Sequence, residues 1–347
     1  MKWSEVFLYR NGLWLSLFFY LAACQPTDKS AKGPEVKSLL ADTSVVAAAD
    51  AVVDVDTSTL VEKEELPAET DNPSEATNHR IGEDTIAPFN ATSYPWLTAY
   101  NPAMSIQQDI APPRGAKRIE VRANSFGNWL RNLPLKDKGT AVYLYNQEPK
   151  INQGAHHRVI DIDTGNRDLQ QCADAVMRLK AEYHYSQKAY EQIHFNFTSG
   201  DRVSFDDWRR GRKPIIRGNQ VVFSTASGPA NNSYANFKKY LRMIFSYAGT
   251  ASLEKELKAT ELSDMAIGDV FIQGGFPGHA VLVMDMAVDA DGQKYFLLAQ
   301  SYMPAQDMHI LKNPENPTLS PWYAVHEIGE GFATPEWPFK DTSLRRF

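Results

Sequence analysis

The sequence contains very little cysteine. Two of its 347 residues are cysteines, Cys24 and Cys172, and Cys24 closes an amino-terminal apolar segment. Once that segment is set aside, Cys172 has no partner for an intramolecular disulfide. An unpaired thiol in an oxidising compartment is either well buried or retained for its reactivity. Both interpretations are open from the sequence.

The spacings that favour zinc are also missing, because the chain has no HExxH motif and no paired CxxC. His156 and His157 precede Asp161 and Asp163, and His157 would share one strand face with both carboxylates. Isolated His/Asp pairs of this kind are usually polar surface. We therefore predict no metal site and no cofactor.

Aromatic residues are absent from residues 25–83, a segment rich in Asp, Glu, Ala, Thr and Ser. A segment of this composition cannot bury enough apolar surface to fold, so we predict a disordered tether. Acidic residues exceed basic ones there by about eight, whereas the net charge of the whole chain is -6. The remainder is therefore nearly neutral, and without a basic field we expect no nucleic-acid partner.

The only long apolar run lies at the amino terminus, within residues 1–24. Lys2 and Arg10 flank a run from Leu13 to Ala23, and small residues precede Cys24. This pattern is typical of a secretory signal peptide and is too short for an ordinary membrane-spanning helix. The body of the protein is therefore expected outside the cytoplasm.

The ending Leu21-Ala22-Ala23-Cys24 resembles a bacterial lipobox. That resemblance implies that Cys24 is lipidated and becomes the mature amino terminus, so that the lipid anchor makes the membrane a partner. Gln25 follows in place of an aspartate that retains some lipoproteins at the inner membrane. We expect a lipid-anchored protein of the bacterial cell envelope, with the outer membrane favoured.

Residues 84–347 remain, enough for one large globular domain. Ser125 to Leu135 predicts a short helix that Ser125 caps and that ends before a proline. Three segments have the alternation or β-branched content of strands, namely Arg118 to Ala123, Val142 to Tyr145 and Arg158 to Ile162.

Cys172 lies near the start of the clearest amphipathic pattern, which runs from Asp168 to Tyr183. With Asp168 as the cap, the cysteine would lie about one turn inside the helix. There the helix dipole would favour a thiolate and lower the pKa of Cys172. A cysteine on an apolar helix stripe is also often a small buried core residue.

A β-hairpin is predicted about 107 residues after this cysteine. His279 opens a strand, Asp289 to Gly292 form a turn, and Lys294 to Ser301 return antiparallel. Folding the chain about that turn brings Gln300 alongside His279. The side-chain amide of Gln300 would then orient the imidazole as a base for Cys172.

The order of these segments resembles that of papain-like cysteine peptidases and amidases. The matching segments are Gln171-Cys172-Ala173 at a helix start, Gly278 to Val283 as the histidine strand, and Tyr295 to Tyr302 as the aromatic-led strand. Gly268-Asp269-Val270-Phe271 is similar to a segment of the NlpC/P60 cell-wall amidases. The resemblance implies a papain-like α+β fold in which the helix that carries Cys172 packs against an antiparallel sheet.

The chain departs from the papain pattern in three respects. Gln300 stands where that family has asparagine, and Cys172 lacks the flanking Gly-Ser-Cys-Trp sequence. The family's oxyanion glutamine has no clear counterpart, since Gln170 and Gln171 are too close to the cysteine.

A wider resemblance covers nearly the whole domain. Ser125 to Leu135, Asp168 to Tyr183 and Gly268 to Asp285 are similar to the signatures of an uncharacterised family of bacterial envelope lipoproteins, classified as a domain of unknown function. Two functions fit this sequence. One is a thiol hydrolase, a peptidase or amidase acting on peptides or peptidoglycan through Cys172, His279 and Gln300. The other is a non-catalytic papain-like scaffold that binds a peptide or glycan in the envelope.

Overall fold

The computed structural model describes residues 94–347. The predicted signal peptide, the lipidation site Cys24 and the tether over residues 25–83 lie outside the described residues, as does the predicted start of the domain at residue 84. Within residues 94–347, no helix is both long enough and apolar enough to cross a membrane.

The described chain contains six α-helices and a larger number of mostly short strands. The helices are α1 (Ile106–Asp109), α2 (Phe126–Arg131), α3 (Cys172–Ser186), α4 (Phe205–Arg209), α5 (Tyr234–Tyr247) and α6 (Thr250–Glu256). The strands are β1 (Lys117–Arg118), β2 (His156–Val159), β3 (His194–Asn196), β4 (Arg202–Ser204), β5 (Pro214–Arg217), β6 (Gln220–Phe223), β7 (Lys258–Ala259), β8 (Val270–Gln273), β9 (His279–Val288), β10 (Lys294–Gln300), β11 (His309–Leu311), β12 (Tyr323–Ala324), β13 (Gly331–Ala333), β14 (Pro338–Lys340) and β15 (Leu344–Arg346).

Nine strands form one antiparallel sheet. Its main path runs β2-β11-β10-β9-β8-β15-β7, with β1 paired to β9 and β12 paired to β10. Three hairpins lie apart from it, β3 with β4, β5 with β6, and β13 with β14. The long hairpin of β9 and β10 is central to the sheet because other strands pair with both of its outer edges.

Both faces of this sheet are covered, which explains why β9 is buried almost throughout. On one face Ala280, Leu282 and Met284 pack with the helices, α3 and α5 among them. On the other face Val281 and Val283 pack with aromatic side chains that include those of the β13–β14 hairpin. Alternate residues of one strand thus serve two separate cores.

The coarse prediction is confirmed: the fold combines α-helices with a large antiparallel sheet. The helix that begins with Cys172 packs on β9. The predicted hairpin is also confirmed, because β9 pairs with β10 as far as Ala299 opposite Leu282. Gln300 follows directly, next to the histidine end of β9.

The short helix after Ser125 is confirmed as α2, and the Ser125 hydroxyl accepts the backbone N–H of Asn128 at 3.2 Å. All three predicted strands differ from the structure. The first is only β1, because the chain leaves the edge of β9 after Ile119, whose N–H still donates to the carbonyl of Met286. Val142 to Tyr145 forms no strand and only isolated bridges at Tyr143 and Leu144. The predicted strand from Arg158 to Ile162 is displaced to β2.

Candidate active site

Cys172 is the first residue of α3, and Gln171 is its N-cap. The prediction that Asp168 caps the helix one turn earlier is wrong. The Asp174 carboxylate accepts the backbone N–H of Gln171 at 3.1 Å, and this bond fixes the start of the helix at Cys172. Asp168 instead accepts the Gln171 side-chain amide at 2.9 Å.

The chain just before Cys172 is tied to the end of β10. The Ser301 hydroxyl donates to the carbonyl of Gln170 at 2.9 Å, and both residues are buried. The backbone N–H of Ala305 donates to the Asp168 carboxylate at 2.7 Å. Because Ser301 directly follows Gln300, these bonds set the position of Cys172 relative to that glutamine.

The thiol of Cys172 is 6% exposed. Burial, reinforced by the nearby carboxylate of Asp174, raises the pKa of Cys172 to about 11. The backbone N–H groups of Ala173, Ala280 and Cys172 itself act in the opposite direction. The predicted lowering of the pKa by the helix dipole is therefore wrong, because loss of water around the sulfur has the larger effect. At neutral pH Cys172 is a thiol.

Cys172 lines a groove of about 440 Å³. The start of α3 forms one wall, and the end of α5 with the start of α6 forms another. The loop between β8 and β9 contributes Phe276, which is fully exposed, and the loop after β10 contributes the partly exposed Met303. Most of the surface is apolar and a few polar side chains line it, which suits an extended peptide.

Gly278 is required where this groove meets β9. A Cβ atom at this position would lie 2.4 Å from the Thr250 hydroxyl oxygen, 2.6 Å from the carbonyl oxygen of Gly275 and 2.8 Å from that of Gln273. Two of these neighbours are backbone and cannot move aside. The glycine before His279 therefore permits the close contact between the loop, α6 and the strand.

His279 is completely buried at the first position of β9. Its Nε2 atom lies 2.8 Å from Oε1 of Gln300, which confirms the predicted contact between these two side chains. Its Nδ1 atom is buried and has no hydrogen-bond partner among the described residues. Tyr302, Trp337 and Phe339 surround the ring, with centroid distances of 4.9, 5.4 and 5.8 Å.

Glu336 determines which way the Gln300 amide points. Its carboxylate accepts from Nε2 of Gln300 at 2.7 Å. A carboxylate accepts and an amide nitrogen donates, so Oε1 of Gln300 must face His279. An amide oxygen only accepts, so His279 carries its proton on Nε2 and keeps a free electron pair on Nδ1.

Lys150 and His309 complete this buried network. Nζ of Lys150 lies 2.5 Å from the Glu336 carboxylate and 3.4 Å from Nε2 of His309. Nδ1 of His309 donates to the backbone carbonyl of Asp307 at 2.8 Å, so its Nε2 accepts, and the Gln300 amide lies 3.3 Å from it. Among the side chains of this network, only that of His279 has a buried polar atom without a hydrogen-bond partner in residues 94–347.

Both histidines of the network are neutral. Burial lowers the pKa of His279 to about 4, although the bond to Gln300 opposes this and Lys150 adds to it. Burial, with Lys150 next in size, holds the pKa of His309 well below its ordinary value. Burial also lowers the pKa of Lys150, which its contact with Glu336 opposes.

Cys172 and His279 share close neighbours. The backbone N–H of Ala280, the residue after His279, acts on the sulfur. Burial raises the pKa of Tyr302, whose ring faces the imidazole, and Glu336 and then Cys172 add smaller contributions. The sulfur and Nδ1 form no hydrogen bond, since Nδ1 has no partner among the described residues. The groove is lined by Cys172 and Gly278.

Lys150, His309 and Glu336 were missed by sequence reasoning. Lys150 and Glu336 are 186 residues apart, and neither lies in a recognisable motif. A weak indication existed for His309 alone, because it is the histidine nearest to Gln300 in the chain. The side-chain amide of Gln170 is bound to Arg178, whose guanidinium donates to Oε1 at 2.5 Å. This agrees with the expectation from the sequence that Gln170 is not the oxyanion donor.

Comparison with known proteins assigns a family and no activity. The family model described as Domain of unknown function (4846) matches residues 106–346. No curated protein and no solved structure matches the chain. The matched residues include α3, the β9–β10 hairpin and all of the buried network. The chain belongs to the DUF4846 family.

Proposed function

We propose that this protein is a thiol hydrolase, a peptidase or amidase in which Cys172 is the nucleophile, His279 the base and Gln300 the residue that orients the base. The observation that carries the proposal is the unpaired Nδ1 atom of His279. Leaving a buried polar atom without a partner costs about 1–3 kcal/mol. A purely structural network would be expected to avoid that cost, whereas a base needs the electron pair.

The reaction proceeds in two halves. The proton of the Cys172 thiol passes to Nδ1 of His279 while the sulfur attacks an amide carbonyl carbon. The C–N bond then breaks, the amine leaves with the proton from Nδ1, and an acyl thioester remains. Water attacks the thioester, gives its proton to Nδ1, and releases the acid as that proton returns to the sulfur.

In the resting state Cys172 and His279 are both neutral, a thiol and an imidazole. The two pKa values, about 11 and about 4, make a thiolate–imidazolium pair roughly 9–10 kcal/mol less stable than the neutral pair. A turnover of about one per second corresponds to a barrier of about 17 kcal/mol. The proton therefore moves to His279 only while the sulfur attacks a bound substrate. Because this transfer uses more than half of such a barrier, catalysis would be slow.

The start of α3 supplies donors for the developing oxyanion. The first N–H groups of a helix have no partner within it, and those of Cys172 and Ala173 lie beside the sulfur. They would stabilise the negative charge on the substrate oxygen. The groove at Cys172 would hold the substrate chain.

The envelope location remains a proposal based on the sequence. A lipid on Cys24 would anchor the domain in the bacterial envelope, with the outer membrane favoured, where peptides and peptidoglycan stem peptides are available as substrates. Incorporation of an alkyne-labelled fatty acid into the full chain, and its loss in Cys24→Ala, would support this. Labelling that persists in Cys24→Ala would contradict it.

A second function is favoured by one observation, the high pKa of Cys172. A thiol that is not ionised at neutral pH is a poor nucleophile. The alternative proposal is a non-catalytic scaffold that binds a peptide or glycan in the same groove. In that case Cys172 would be replaceable by alanine without loss of binding or of any activity.

The test compares peptide cleavage by wild type and variants. The full chain is incubated with a synthetic hexapeptide library and with peptidoglycan fragments, and products are identified by mass spectrometry. We expect new amide cleavage that is lost in Cys172→Ala and falls by at least about a hundredfold in His279→Ala. His326→Ala, at an exposed histidine, is the control and should retain full activity. Cleavage that survives in Cys172→Ala, or its absence in wild type, would exclude the hydrolase.

A further inference from the structure

A second, smaller cavity adjoins the groove at Cys172. It has a volume of about 90 Å³, and Leu169 and Phe245 line both spaces. This is roughly the volume of three water molecules, the size of a carboxymethyl group. A ligand in the groove can therefore place one short side chain or chain end there.

The lining of the second cavity is strongly basic. Within residues 94–347, four cationic side chains contribute to it, those of Arg167, Arg178, Lys238 and Arg242, and the only lining carboxylate is that of Asp163. Asp163 contacts Arg178 at 2.9 Å and Lys238 at 2.7 Å, and these cations outweigh the effect of burial to lower its pKa to about 2. Arg178 is further balanced by Glu182 at 2.9 Å.

Two of the four cations have no carboxylate partner. Arg167 and Arg242 are exposed, and within residues 94–347 their side chains form no ion pair. Arginine presents a planar set of donors that matches a carboxylate. The cavity thus has an excess of positive charge at the side open to solvent.

The groove around Cys172 has the opposite character. Asp168 lines it, and hydrogen bonds from Gln171 and Ala305 hold that carboxylate in place. An acidic group bound next to Cys172 would be repelled, whereas one bound in the second cavity would be attracted. Asp168 and the basic cavity together therefore determine at which position of a bound peptide an acidic group is favoured.

Helix α5 sets the separation between the two spaces. Lys238, Arg242 and Phe245 lie at three- and four-residue intervals and so share one face, which leads towards Ala248 in the wall of the groove. Six residues separate Arg242 from Ala248, about 9 Å at 1.5 Å per residue. An extended peptide covers this in about three residues at about 3.3 Å each.

We infer that the Arg167–Lys238–Arg242 cavity is a specificity site for a carboxylate of a peptide substrate held in the adjoining groove at Cys172. The carboxylate is either an Asp or Glu side chain or the free carboxyl end of the peptide. This inference rests on the proposed function, because a specificity site presupposes a peptide substrate. Peptide binding itself can be measured without turnover.

The experiment measures which peptides the protein binds. Full-chain Cys172→Ala is immobilised and exposed to a random hexapeptide library, made once with free and once with amidated carboxyl ends, and bound peptides are sequenced by mass spectrometry. We expect Asp and Glu to be enriched about fivefold over Asn and Gln at one position. Retention of peptides from the free-acid library alone, without enrichment of Asp or Glu at any position, would instead assign the cavity to the peptide carboxyl end.

Variants of exposed arginines give the matched control. Arg242→Glu should abolish the acidic enrichment and favour Lys and Arg, whereas Arg217→Glu, at an exposed arginine of the β5–β6 hairpin, should leave it unchanged. The inference would be overturned by absence of acidic enrichment together with equal retention of free-acid and amidated peptides, by absence of any peptide binding, or by the same acid selectivity in Arg242→Glu. Acid-selective binding without cleavage by wild type would contradict only the hydrolase, and cleavage without acid selectivity only the specificity site.

Discussion

The two ends of strand β9 each hold a buried polar cluster, and the clusters differ in one respect. At one end, Asp285 is completely buried and contacts Arg118 at 2.6 Å and Arg131 at 2.7 Å. At the other end, six residues and about 20 Å away, the Glu336–Gln300 network reaches His279 and leaves one of its ring nitrogens unpaired.

The Asp285 cluster is closed, since its carboxylate also accepts the N–H of Met286 at 2.8 Å and no side-chain atom of the three charged residues is buried without a partner. It joins β1 and α2 to the sheet. A cluster that serves stability satisfies its own groups, whereas one that serves a ligand keeps an atom free. The predictions below test this contrast in order of decreasing expected effect.

The largest effect should come from Asp285→Ala. Removing the carboxylate leaves the buried guanidinium group of Arg131 and the partly buried one of Arg118 without a counter-charge. Breaking such a cluster costs about 3–5 kcal/mol of unfolding free energy. Denaturant unfolding of the full chain measures this loss. A loss under about 1 kcal/mol would contradict the view that this end of β9 is held together by charge.

The pH dependence of stability should reveal His279. Its pKa in the folded state is about 4, below the value of about 6.5 in the unfolded chain. The unfolded chain therefore binds the proton first, so stability is complete above pH 6.5 and is lost as the pH falls towards 4. Wild type should lose up to about 3 kcal/mol more than His279→Gln over this window. Urea unfolding of both proteins at pH 7 and at pH 4 measures this difference. If wild type and His279→Gln lost the same unfolding free energy between the two pH values, the low pKa of His279 would be contradicted.

Glu336→Gln should have a smaller effect on stability, about 1–3 kcal/mol, because it weakens bonds to Lys150 and Gln300. An amide at position 336 can present either an oxygen or a nitrogen to Gln300, so the orientation of Gln300 is no longer forced. Nitrogen NMR should then show a mixture of His279 tautomers. Glu330→Gln, at an exposed glutamate, is the control; a single unchanged tautomer in Glu336→Gln would remove Glu336 from the account.

The smallest effect is expected from Asp163→Asn. The Asp163 side chain is 52% exposed, so its ion pairs with Arg178 and Lys238 are screened and contribute under about 1 kcal/mol. Because its folded pKa is lowered to about 2, this contribution is present above pH 4 and is lost between pH 4 and pH 2. Thermal unfolding at pH 7 would measure it, and a loss above about 2 kcal/mol would show a structural role.

The His279–Gln300 contact could be predicted because a turn signal and two alternating segments lie close together in the sequence. Strand pairing then leaves one arrangement for the two ends. The start of α3 was predicted three residues too early, at Asp168, whereas Gln171 is the N-cap. The successful prediction thus concerns two residues that a single turn brings together.

The rest of the site depends on contacts that leave no local pattern. Glu336 reaches Gln300 from a loop before β14, and Lys150 reaches Glu336 across 186 residues. The ionisation of Cys172 depends on how far the surrounding chain excludes water, and a helix position alone does not give that. Contacts between charges that are distant in the sequence, and the burial of a side chain, arise only when the chain folds. A local sequence pattern therefore does not predict them.

The proposed mechanism requires that His279 keep its proton on Nε2 and a free electron pair on Nδ1. Nitrogen NMR of the full chain with labelled histidine, assigned by comparison with His279→Gln, measures where this proton is bound. We predict a single neutral tautomer from pH 5 to pH 8, with the proton bound to Nε2. A proton on Nδ1, or a charged ring at pH 7, would contradict the account.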